Sequence, residues 1–172
     1  MTEVDDRLNS PRAIFSYAEA FAEATEKLQA QFRRQPSGTQ AHVADAAHIA
    51  PTVTLDSFAT ELYLKCLYAI DHGMPSRGHK YQELFAALKP GMQQAVRYVY
   101  NDFLANHSVA EFMRRNEPTF IAGLDECLRI SNETFESMRY LYEGGHGQQF
   151  YWPLLRLALR KTILSINPNW AT

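Results

Sequence analysis

A chain of 172 residues that is 46% hydrophobic can bury a proper core as one domain, and that composition excludes global disorder. A net charge of −2 argues against general, sequence-independent nucleic-acid binding, which needs clustered positive charge. No stretch of 18 apolar residues and no basic-then-apolar leader stands out, and the two cysteines, Cys66 and Cys127, sit among Leu and Phe as small core fillers. The expectation is a single soluble domain over residues 1–172 in a reducing cytoplasm, with no membrane association.

Residues 1–9 are polar and expected to fray. Ser10-Pro11 reads as an N-cap followed by proline at the first helical position. Ile14, Tyr17, Ala18, Phe21, Leu28 and Phe32 then mark one face of a helix that Pro36-Ser37-Gly38 stops. Gln40–Ala50 shows no apolar stripe; it reads as irregular or a short helix, closed by Pro51. His42 and His48 lie six apart there with no accompanying ligand set, which does not make a metal pair.

From Thr54 the pattern is stronger. Leu55, Phe58, Leu62, Cys66 and Ile70 recur at three and four residues, and Tyr63 and Leu67 widen the face. This helix is expected to be buried on most of its circumference. Gly73 suits a left-handed C-terminal cap and Pro75 blocks continuation. A second helix is expected from near His79, burying Leu84, Phe85 and Leu88 and ending at Lys89-Pro90-Gly91. Glu61 and Lys65 are four apart, in the favourable order for a helical ion pair. Glu61 is either half of that solvated pair or points inward onto a cation from another helix.

A helix over Gly91–Ala105 turns Met92, Val96, Val99 and Phe103 inward, leaving Tyr98 and Tyr100 for surface or interface. After a break at Asn106-His107-Ser108 come a short segment over Val109–Arg115 and a longest helix from Pro118 to Glu143, with Asn132 a break point. Gly144-Gly145 ends it. A last helix, Tyr151–Ile166, faces Trp152, Leu155, Leu159, Ile163 and Ile166 inward. The whole reads as an all-α antiparallel bundle of five to six helices.

Three segments in order, ELYLKCLYAIDHG, RGHKYQELFAAL and FESMRYLYEGG, resemble the HEPN family (higher eukaryotes and prokaryotes nucleotide-binding domain). The resemblance spans Leu55–Gly145 and implies a small helical bundle acting on or binding RNA or nucleotides. It also implies a candidate catalytic pair, Arg139 and His146, because HEPN ribonucleases carry an Arg, four to six residues, then a His. That chemistry is metal-independent and needs no cofactor. The 2′-hydroxyl of RNA attacks its own phosphate, a His moves the proton, and an Arg holds the phosphate. Tyr140 and the Gly144-Gly145 pair depart from the active pattern. Arg139 also has a structural reading, as a half-buried cation paired with Glu61.

Arg77, His79 and Lys80 form a candidate anion-binding entrance at the start of the second helix, or His79 packs locally. No phosphate loop, H-E-x-x-H, C-x-x-C or G-x-S-x-G is present. Two function classes therefore stand: an RNA-directed HEPN-like protein, in the active case an endoribonuclease of a defence or toxin–antitoxin system, and a non-catalytic nucleotide-binding or dimeric interaction module. The family's habit and the many aromatics, ten Phe, nine Tyr and two Trp, point to a homodimer, with an antitoxin-like protein as a further candidate partner.

Overall fold

The computed structural model describes residues 9–32, 41–116, 123–132 and 153–171, and among these it is all-helical with no strand. The helices are α1 (Pro11–Phe32), α2 (Ala41–His72), α3 (Tyr81–Ala86), α4 (Pro90–Asn106), α5 (Ser108–Asn116), α6 (Leu124–Ser131) and α7 (Pro153–Ile166), with a 3₁₀ turn at Pro168–Trp170. The fraying of the first eight residues, the stop at Pro36-Ser37-Gly38, Trp152 and the Pro118–Glu143 helix beyond its Leu124–Ser131 part lie outside the described residues.

α1 begins as its sequence directs: the Ala13 N–H donates to Ser10 Oγ at 3.2 Å. Its buried stripe is Ile14, Phe15, Ala18, Ala22 and Thr25. Tyr17 was expected inward but is 51% exposed. It lies about 100° around the helix from Ala18, the middle of that stripe, so it falls on the rim.

α2 is one helix of 32 residues and runs through Pro51, against the expectation that Pro51 ends a separate segment. The proline removes one N–H, costing about 3 kcal/mol in an isolated helix. Its ring is exposed, and the residues beyond it are clamped between α1 and α7, where packing decides. Ala59, Tyr63, Leu64, Cys66, Leu67 and Ala69 are all buried, so the helix is enclosed on most of its circumference. Leu55, Phe58, Leu62 and Ile70 are half-buried at the edges of that enclosure. Gly73 closes α2 at φ +73°, its N–H donating to the Ala69 carbonyl at 2.9 Å.

α3 starts at Tyr81 rather than near His79, and buries Tyr81, Leu84 and Phe85. Pro90 does not end it but opens α4, in the first-turn position where its missing N–H costs nothing. In α4, Tyr98 is 76% exposed, but Tyr100 is fully buried, correcting its placement off the stripe. It stands one turn after Val96, and its hydroxyl reaches the Cys127 thiol. In α7, Leu155, Leu159 and Ile163 are buried as expected, while Ile166 at the last position of the helix is 44% exposed.

The pairings fix the packing directions. Pro11 meets Cys66, Phe15 meets Tyr63 and Phe21 stacks on Phe58, so α1 and α2 run antiparallel. Glu19 meets Arg160 and Glu26 meets Arg156, so α1 and α7 are antiparallel too. α2 packs on α1, α7 and α3; α4 packs on α7, α5 and α6. The 3₁₀ turn returns Trp170 to Phe15, ring centroids 5.6 Å apart. Both cysteines are free and buried, and burial pushes each thiol up to about 12.

Candidate functional site

Two polar clusters flank α2. The first lies between α1, α2 and α7, with the Asp56–Arg156 pair buried and Glu19, Glu26 and Arg160 nearer the surface. Arg156 Nε donates to Asp56 Oδ1 at 2.7 Å, with both side chains enclosed, and the guanidinium reaches Glu26 at 3.5 Å. One turn on, Arg160 forks onto Glu19 at 2.8 Å, and the Tyr63 hydroxyl donates to the same carboxylate. Burial, then the Glu19 bond, push the Tyr63 hydroxyl well above its ordinary value. Every charge here faces an opposite one, which is how a helical core carries ions. Sequence reading passed over this cluster. Its signal was present: Arg156 and Arg160 are one turn apart on an apolar helix, and Glu19 and Glu26 are two turns apart on another.

The second cluster is the predicted one. Glu61 is turned inward, 7% exposed. Lys65 Nζ lies 2.7 Å from its Oε1, which is the expected helical ion pair. The same oxygen accepts from His79 Nδ1 at 2.9 Å. The two alternatives for Glu61 therefore merge: it pairs with Lys65, yet it is buried and takes a second partner from the following loop. That partner is His79. Pairing of Glu61 with Arg139, like the candidate catalytic residues Arg139 and His146 and the flanking Tyr140, lies outside the described residues.

Arg77, His79 and Lys80 all lie in the connection between α2 and α3. All three are exposed, and the His79 side chain is 80% open to solvent. Gly78 sits between them at φ +99°, a conformation that L side chains rarely adopt, so the reversal there depends on glycine. The connection is fastened at both ends. The Tyr81 hydroxyl donates to the Ser57 carbonyl at 2.7 Å, and Gln82 N–H to Asn132 Oδ1 at 3.3 Å. On the other side His72 Nε2 donates to the Ala87 carbonyl at 2.9 Å, and Asp71 accepts from the Lys89 N–H. Arg97 ties the outer faces together, forking onto Asp125 and lying 5.2 Å over the Phe85 ring. The late start of α3 means that the entrance is made by side chains rather than by helix N–H groups. Two exposed cations, Arg77 and Lys80, with a histidine between them that is held by a carboxylate, can hold an anion.

Elsewhere, a cavity of about 260 Å³ lies between α1 and the 3₁₀ turn, lined by Phe15, Glu19 and Trp170 among others. Its carboxylate Glu19 is already committed to Arg160 and Tyr63. Among the described residues no group of three or more His, Cys, Asp or Glu is placed to hold a metal ion, and no helix is long and apolar enough to cross a membrane. No family model matches the chain, and neither does any curated protein or solved structure.

Proposed function

We propose that this chain is a HEPN-like protein that binds a phosphate-bearing ligand, RNA or a nucleotide, through Arg77, His79 and Lys80. The observation that carries the reading is the pinned cationic loop: two exposed cations flank a histidine whose ring is fixed from behind by the buried Glu61. An overall acidic chain that concentrates positive charge on one short loop is suited to a local phosphate contact rather than to coating a duplex. In the active form of this reading, Arg139 holds the scissile phosphate and His146 moves the proton, in a metal-independent endoribonuclease of a defence or toxin–antitoxin type.

The test is RNA binding and cleavage by the purified chain. Anisotropy with a labelled oligouridylate should show binding that weakens with salt, by about 0.7 log units per log unit of salt for each phosphate neutralised. Cleavage should persist in EDTA, leave 2′,3′-cyclic phosphate ends, and vanish in His146→Ala with melting unchanged. Equal degradation by wild type and His146→Ala would mark a contaminant and remove the catalytic part. Absence of both binding and cleavage would favour the interaction module. That second reading is supported by the exposed rings of Tyr98 and Phe112, 76% and 63% open, on the neighbouring helices α4 and α5. It shares with the first the expectation of a homodimer. Light scattering at micromolar concentration should return about twice the 19.7 kDa chain mass.

A further inference from the structure

We propose that anion binding at the loop of residues 77–80 is coupled to the uptake of one proton by His79. This rests on the phosphate-binding reading above and adds to it how the site is regulated. The geometry decides which ring nitrogen carries hydrogen. Glu61 Oε1 lies 2.9 Å from His79 Nδ1 and also accepts from Lys65 at 2.7 Å. An ionised carboxylate only accepts, so Nδ1 must carry the proton that is shared with it. In the neutral ring Nε2 is then a lone pair, and the ring stands 80% in solvent. A phosphate oxygen is also only an acceptor, so neutral His79 offers it nothing. The ring becomes a donor only as imidazolium, when Nδ1–H faces Glu61 and Nε2–H faces the ligand. With Nδ1–H committed to Glu61, a phosphate at Nε2 needs a second ring N–H, so binding draws a proton onto the ring.

The surrounding charges leave this coupling to His79. Among the described residues the groups beside it are Glu61 and Lys65 on α2 and Arg77 and Lys80 in its own loop. Asp56 on α2 is held by Arg156, and Asp71 and His72 are tied to the α3–α4 connection. On α6, which packs on α3, Asp125 is forked by Arg97 and Glu126 by Arg129. The ligand taken here is a phosphodiester strand, whose phosphates do not themselves titrate near neutrality, so any proton taken up goes to the protein.

Calorimetry of the intact chain with 2′-O-methyl hexauridylate, which cannot be cleaved through a 2′-hydroxyl, reads the proton directly when run in two buffers of different ionisation enthalpy. Uptake per site should rise toward one proton as pH increases, and affinity should fall with rising pH with a slope approaching about one log unit per pH unit. His79→Gln, at an exposed position that does not threaten folding, should abolish both the uptake and the slope. Nitrogen chemical shifts of the free protein should show His79 protonated at Nδ1. Binding without proton uptake, uptake that survives His79→Gln, or an Nε2–H tautomer in the free protein overturns the coupling while phosphate binding stands. No binding by wild type overturns the phosphate-binding reading and the coupling with it.

Discussion

The two polar clusters of α2 use the same residue types to opposite ends. On one side Asp56 and Arg156 leave 8% and 5% of their side chains exposed and meet charge for charge. On the other, Glu61 is as deeply set, but its loop partner His79 is 80% exposed and is followed by an exposed Lys80. The first cluster is closed at its centre: Asp56 and Arg156 complement each other inside the bundle, and the outer Glu19–Arg160 pair is also matched. The second is open: the carboxylate is satisfied by Lys65 and His79, while Arg77 and Lys80 in the adjoining loop are exposed. Closed ion pairs hold helices in register, whereas open ones keep binding capacity for something outside. Substitutions that separate stability from binding should therefore sort by cluster.

The largest expected effect is on the closed side. Asp56→Asn takes the ionised partner at 2.7 Å from the buried Arg156 guanidinium, and should cost about 3–5 kcal/mol. For a chain of this size that lowers the Tm by more than about 6 °C. Replacing the pair together, Asp56→Leu with Arg156→Met, should recover most of the loss, because a buried ion pair can be exchanged for packed apolar groups. A single variant that melts like wild type would mean the seam is solvated and the contrast false.

Glu61→Ala should fall between the clusters. It strips a mostly enclosed Lys65 of its acceptor and releases His79, costing about 1–3 kcal/mol. A loss at the upper end of the closed-side range would mean that Glu61 neutralises a further buried cation, as the Arg139 pairing requires. A Tm within about a degree of wild type would mean Glu61 is only a solvated partner of Lys65.

Alkaline pH should sharpen the contrast from the core side. Burial raises the thiols of Cys66 and Cys127 from 9.0 to about 12 in the folded chain. A raised folded value gives stability that is complete below the unfolded value and lost as pH climbs toward the folded one. Unfolding free energy should accordingly drop between about pH 9 and 12, with the buried hydroxyls of Tyr63 and Tyr81 adding to the loss in the same direction. Melting curves in that window should shift less when both cysteines are replaced by Ala, once compared with that variant's own neutral-pH value. An unchanged alkaline slope would show that the thiols are not the titrating groups.

What the sequence discloses depends on how local the cause is. Ser10-Pro11 and Gly73 act within one turn, and each places a helix end where the residues alone suggest. The apolar recurrence over α2 likewise gives its enclosure. Pro51 misleads because its local cost is outweighed by packing of the segment beyond it. Arg156 is missed because its partner is 100 residues away along the chain, where no spacing rule connects them. In the candidate site, the Glu61–Lys65 pair is legible from i, i+4 spacing, but the Glu61–His79 contact needs the reversal at Gly78 and the anchoring of Tyr81 to Ser57. The late start of α3 escapes for the same reason: Lys80 and His79 belong to the turn, and the first buried residue, Tyr81, sets the helix.

The most direct test of the central claim is the affinity of Arg77→Glu/Lys80→Glu for 2′-O-methyl hexauridylate, measured beside its melting temperature. Both side chains are exposed, so the fold should hold within about a degree while affinity falls by roughly tenfold or more and the salt slope flattens. A double variant that binds the oligomer as tightly as wild type, with the same salt slope, would contradict the account.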